Sequence, residues 1–146
     1  MNKIESCFKT IQDRLPKRYS EIELKVFPDT KAILKEISKI KKQTYKETYK
    51  YYEKYIINPK KSCYMHTKYY RDANGGGLET PLDFVAFSYN PILVSNEVSK
   101  YDKRSIMFLL LHELAHYHYP FKNGCEKKCD MFAIRWIRKF KEEGIL

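Results

Sequence analysis

Two hydrophobic periods alternate along the chain, and each change of period marks an element. Ile4, Phe8, Ile11 and Leu15 recur at the spacing of one helical face and predict a helix over 3–14, which Pro16 closes. Over 21–27 the period becomes two. Ile22, Leu24 and Val26 point one way and Glu21, Glu23 and Lys25 the other, the pattern of a half-buried strand. Pro28-Asp29-Thr30 then opens a second helix, with Asp29 or Thr30 as its cap. Ile33, Ile37 and Ile40 continue it. Tyr45, Tyr49, Tyr52 and Ile56 carry on at helical spacing, so one long helix or two in tandem reach Asn58-Pro59.

Beyond that point the periodicity is weaker. Residues 62–70 read as extended, and Asn74-Gly75-Gly76-Gly77 as a turn or loop. Residues 84–89 and 92–94 read as two short strands in a hairpin-like arrangement around Asn90-Pro91. A strongly apolar helix is predicted over about 103–119 and a last helix over about 125–142. The order α-β-α-β-β-β-α-α predicts an α+β class, and the length predicts one domain over 1–146.

Composition sharpens this picture in two ways. Hydrophobic residues are 43% of the 146 positions, enough to build a core, yet the longest apolar run, 106–111, is far too short to span a membrane. The first residues show no apolar leader of the secretory kind, so a cytoplasmic protein is expected, with Cys7, Cys63, Cys125 and Cys129 as reduced thiols. The net charge is +10, which permits nucleic acid, anionic lipid or acidic proteins as partners without requiring any of them. The excess is concentrated over 31–61, where ten Lys face three Glu, and eight of the thirteen Tyr lie between 45 and 70. Basic and aromatic residues together can grip phosphates and stack bases. The helical spacing of Tyr45, Tyr49 and Tyr52 favours packing against the body of the protein instead.

The apolar helix carries the chemistry. It contains His112-Glu113-Leu114-Ala115-His116, an H-E-x-x-H pattern. Residues four apart share a helical face, so both imidazoles can reach one ion, and neutral imidazole is a good zinc ligand. Glu113 stands beside that ion, placed to take a proton from a zinc-bound water. The apolar residues 106–111 imply that this helix is buried, and two imidazoles and a carboxylate inside a core need partners. On the last helix, Lys127, Arg135, Arg138 and Lys139 gather on one side, while Glu126 and Asp130 fall in the apolar arc with Ala133 and Ile137. Buried acids are normally paired. The economical assignment makes Glu126 the third zinc ligand and gives Asp130, one turn on, the task of fixing a histidine.

H-E-x-x-H followed by E-x-x-x-D on the next helix resembles the gluzincin metallopeptidases, most closely the minigluzincins and the ImmA/IrrE-like peptidases. The resemblance covers roughly residues 82–137, and Glu126-Lys127-Lys128-Cys129-Asp130-Met131-Phe132-Ala133 is similar to the family's E-x-x-A-D-x-F-A, with Cys129 in place of the usual Ala. It implies a zincin-like fold: a small mixed sheet with an edge strand, an active-site helix and a ligand-bearing helix after it. It also implies that His112, His116 and Glu126 bind zinc, that Glu113 is the general base and that Asp130 holds His112. The family's edge strand would be 84–88, with an extended protein or peptide substrate paired along Val85, Ala86 and Phe87. The family commonly adds a Tyr or His that stabilises the oxyanion; Tyr117, His118 and Tyr119 follow the motif closely, but their residue types favour partly buried aromatic packing over that role.

Three other readings compete. A structural zinc site could use His112, His116, Cys125 and Cys129, in the chemically reasonable spacing H-x3-H-x8-C-x3-C. It leaves Glu113 without a task and Glu126 and Asp130 buried without partners, and the helical wheel puts both cysteines beside Phe132 and Trp136, where core cysteines belong. A nucleic-acid-binding protein would use the basic, Tyr-rich segment. A pseudo-enzyme would keep the zinc and bind a partner only. His66, alone in its segment, reads as structural.

Overall fold

The computed structural model describes residues 2–57, 91–119 and 125–146. Among the described residues the protein is mostly helical: five α-helices and a two-stranded parallel sheet. The mixed sheet expected from the sequence is represented there by these two strands. The segments expected at 62–70, 74–77 and 84–89, including His66, lie outside the described residues.

Helix α1 (Lys3–Arg14) starts where Asn2 accepts a hydrogen bond from the Glu5 amide, and it buries Ile4, Cys7, Phe8 and Ile11. The strand expected over 21–27 is shorter, because residues Lys17–Glu21 wind into a 3-10 turn after Pro16. Strand β1 is Leu24–Phe27, and its inward side is the expected one: Ile22 is buried and Leu24 and Val26 are partly covered, while Glu21, Glu23 and Lys25 are exposed. Asp29 caps α2 (Thr30–Lys41) by accepting from the Ala32 amide at 2.8 Å.

The tandem alternative holds for the next stretch. Lys42 turns into the left-handed region (φ 56°) and closes α2, and α3 (Tyr45–Ile57) begins after it. Its start is a reciprocal cap: Thr44 Oγ1 accepts from the Glu47 amide, and Glu47 Oε1 accepts from the Thr44 amide, both at 3.2 Å.

Strand β2 (Ile92–Ser95) pairs in parallel with β1, Leu24 opposite Ile92 and Val26 opposite Val94. All four β2 residues are buried, because helices cover both faces of the sheet. Ile92 and Val94 join the core made by α1 and the two C-terminal helices. Leu93, pointing the other way, joins Ile33, Leu34 and Ile37 of α2, with Tyr45 and Tyr49 packed against them. The Tyr stripe of α3 therefore packs inward at both of these positions.

Helix α4 (Lys103–Ala115) is capped by Asp102, which accepts from the Ser105 amide at 2.8 Å. Every residue from Ser105 to Ala115 is buried, as an all-round apolar helix demands. The helix is four residues shorter than the pattern predicts. After Ala115 the chain tightens into turns bonded to the third residue back, such as His116 N to Glu113 O and Tyr117 N to Leu114 O. Helix α5 (Cys125–Glu142) lies against α4 and buries Cys129, Asp130, Ala133, Ile137 and Phe140. Lys127, Arg135, Arg138 and Lys139 face water, as the wheel predicts. None of these helices is long and apolar enough to cross a membrane.

Candidate metal centre

The centre forms where the end of α4 meets the start of α5. His112 lies in the last turn of α4, His116 caps that helix, and Asp130 projects from α5 to meet His112. All three are at most 2% exposed, and Glu113 is 8% exposed, so four groups of ordinarily high hydration sit in a dry environment. The same all-round apolar helix that builds the core carries His112, Glu113 and His116 inside.

Each imidazole is held by its Nδ1 edge. His112 Nδ1 is 2.8 Å from Asp130 Oδ1, and His116 Nδ1 is 2.8 Å from the carbonyl oxygen of Tyr119. A ring nitrogen facing a carbonyl can only donate, so the proton of His116 is on Nδ1 in this arrangement and its lone pair is on Nε2. The carboxylate of Glu113 stands on that other edge, with Oε2 4.0 Å from His116 Nε2. The two rings meet edge to face, their centroids 5.4 Å apart.

Cys129 completes the group. Its side chain is fully buried, and Sγ is 3.6 Å from His116 Nδ1. One donor atom from each of His112, His116 and Cys129 falls within 4.8 Å of the others, so these three residues can hold a metal ion. Two imidazoles and a thiol are the donor set that suits zinc and other soft or borderline ions. The helical wheel assigns Cys129 to the ordinary core. It is buried as expected, but it stands beside His116 as well as among apolar side chains. Among the described residues, neither Cys7 nor Cys129 forms a disulfide.

The structure brings His112, Glu113, His116 and Asp130 together. Glu126 lies in the first turn of α5, one turn before Asp130, and its side chain is outside the described ones, as is that of Cys125. Val85, Ala86 and Phe87 of the expected substrate strand also lie outside the described residues.

Two contacts had no precursor in the sequence pattern. The Tyr119 carbonyl is a backbone group that reaches His116 only because the chain tightens after Ala115. Tyr19, from the 3-10 turn before β1, meets His118 through a short hydrogen bond between its hydroxyl and Nε2. Burial pushes the Tyr19 phenol above its usual range, so it keeps its proton and donates. Desolvation, and then the nearby Arg18 guanidinium, hold His118 below the ordinary histidine value, so its Nε2 is an acceptor at neutral pH. His118 thus turns toward Tyr19.

No family model matches the chain, and no curated protein or solved structure matches it either.

Proposed function

We propose that the protein is a zinc-dependent metallopeptidase of minimal gluzincin type, a single zincin-like domain acting on protein or peptide substrates in the cytoplasm. One observation carries the reading: both histidines of H-E-x-x-H are anchored by Nδ1, and the Glu113 carboxylate stands at the Nε2 edge of His116. That is the orientation two zinc-binding imidazoles need, with their outer nitrogens fixed by a carboxylate and a carbonyl. When bound, zinc supplies Lewis-acid polarisation of a carbonyl and acidifies a water toward neutral pH.

The rest falls to side chains of this chain. His112 and His116 present their Nε2 lone pairs, and Asp130 fixes the tautomer of His112. Glu126 is the third ligand in this reading. Glu113 accepts the proton of the attacking water on a carboxylate oxygen and returns it to the departing amine. The dry surroundings of α4 and α5 strengthen each of these interactions. The substrate adds as an extended strand along Val85, Ala86 and Phe87, where backbone pairing is indifferent to side-chain identity.

The test is Glu113→Gln on zinc-loaded protein, with an unstructured protein such as denatured casein as substrate. An amide cannot shuttle the proton, so the variant should keep its zinc and its melting temperature and lose hydrolysis. Cleavage by Glu113→Gln at the wild-type rate would remove the mechanism.

A second reading is favoured by Cys129. A non-catalytic site would use His112, His116 and Cys129, with His116 turned to bind through the Nδ1 edge that Sγ approaches at 3.6 Å. It gives up the Tyr119 bond and leaves Glu113 without a chemical task.

A further inference from the structure

Two clefts open beside the metal centre, and Tyr119 and Arg135 line both. The first, of about 360 Å³, is lined by Arg18, Tyr19, His118, Tyr119, Arg135 and Trp136, among others. The second, of about 500 Å³, is lined by Lys127, Lys128 and Met131 together with the same Tyr119 and Arg135. Among the described residues, four cations line this track and no carboxylate does.

Cations and rings are paired along it. Lys128 Nζ sits 5.8 Å from the Tyr119 ring centre, the Arg18 guanidinium 5.1 Å from that of the buried Tyr19, and Lys139, just outside the lining, has its Nζ 4.8 Å from that of Trp136. At the partly exposed Tyr119 and Trp136 such contacts are weak and readily exchanged. A flat ring arriving on Tyr119 or Trp136 would take the place of the cation, which then turns to whatever negative charge adjoins that ring.

We propose that the track binds single-stranded nucleic acid, one nucleotide to each cleft. A nucleotide strand offers π-faces beside phosphates, and the track offers two partly exposed rings, Trp136 in the first cleft and Tyr119 between the two, among four cations. An acidic peptide would satisfy the cations and leave the rings without stacking partners. The track adjoins the Nδ1 edge of His116 through Tyr119, while Glu113 stands at the opposite edge. The site therefore lies behind the metal centre and is independent of whether that centre hydrolyses anything. Among the described residues, none of the Lys- and Tyr-rich segment 31–61 lines it.

Trp136 is the chain's only tryptophan and half-buried in the first cleft, so the native protein carries its own reporter. The full chain would be titrated with a twelve-residue oligothymidylate, and in parallel with polyphosphate and with polyglutamate. Stacking should quench Trp136 fluorescence to saturation. The logarithm of the binding constant should fall with the logarithm of salt at a slope of about −0.7 per phosphate engaged. Arg135 serves both clefts and is exposed, so Arg135→Ala should fold and bind about tenfold more weakly, by loss of a phosphate contact and a cleft wall. Arg138→Ala removes the same charge from the same helix outside the clefts and should change affinity less than about twofold. The proposal is overturned by an absence of saturable quenching, by polyglutamate or polyphosphate binding as tightly as the oligonucleotide, or by Arg138→Ala matching Arg135→Ala.

Discussion

Replacing Asp130 by Asn should separate metal affinity from stability. The carboxylate is fully buried, and its Oδ1 lies 2.8 Å from Nδ1 of an equally buried His112. Asn has almost the same shape and keeps an oxygen that can accept the Nδ1 proton. What it loses is the negative charge that makes the imidazole a stronger donor to a cation. Losses of this kind weaken metal binding by about 10–100-fold, or about 1.4–2.8 kcal/mol. In the metal-free protein the sign should reverse or vanish, because a buried carboxylate carries a desolvation cost of several kcal/mol that an amide largely escapes. Asp130→Ala leaves a buried Nδ1–H without this acceptor and should lose about 1–3 kcal/mol even without metal. At about 2–4 °C per kcal/mol for a chain of this size, thermal melts in chelator and in excess zinc resolve these differences. Competition with a chromophoric chelator gives the affinities. The expected pattern is an Asn variant that melts like wild type in chelator and gains less from zinc, and an Ala variant that melts lower in both. Wild-type zinc affinity in Asp130→Asn would refute the electrostatic part of the reasoning. Complete loss of zinc, as severe as in His112→Ala, would make Asp130 a ligand itself.

His112→Ala and His116→Ala should each abolish the binding of one zinc per chain, as measured by metal analysis of the purified protein. Zinc retained in either variant would move the site elsewhere. His118 should titrate below the ordinary histidine value of about 6.5 in an NMR pH series. The sign follows from linkage. The unfolded chain takes up this proton first as pH falls, so the contribution of His118 to stability is whole above about 6.5 and declines below it until the folded form is protonated too. Replacing His118 by Gln should flatten that part of the stability profile.

The helices were legible because their periodicity and their punctuation agree. Pro16 ends one pattern, Asp29 caps the next, and Thr44-x-x-Glu47 forms the reciprocal cap that splits the tandem pair. The end of α4 was not legible. An unbroken run of apolar residues has no polar face whose loss would mark an end, and the next strong breaker, Pro120, comes five residues after Ala115. The pairing of β1 was hidden for a different reason. Alternation tells which side of a strand is buried and is silent about its neighbour. The continuous Ile92-Leu93-Val94 did carry the mark of a strand covered on both faces, as parallel strands are. Asp130 and the two histidines could be brought together on paper because a buried acid in an apolar arc needs a partner, and helix geometry leaves few within reach.

Cys129 shows where that reasoning runs out. A wheel gives one angle per residue, and the angle of Cys129 is that of a core residue. Only the crossing of α4 over α5 brings Sγ to 3.6 Å from His116 Nδ1. That ring has two edges, and the edges separate the two functional readings. If the ion sits at Nε2, beside Glu113, the Nδ1 proton stays on the Tyr119 carbonyl, and the thiol packs behind the ring as a small apolar group. Cys129→Ala, which restores the residue usual in the resembling family, should then keep zinc with less than about a tenfold loss of affinity, while Glu126→Ala should lose the third ligand and most of the binding. If the ion sits at Nδ1, the Tyr119 bond is broken on loading and the thiolate is a ligand. Cys129→Ala should then empty the site, and Glu126→Ala should leave it filled. Metal analysis of the two variants side by side gives opposite answers for the two edges, and an emptied Cys129→Ala beside a filled Glu126→Ala would end the peptidase proposal.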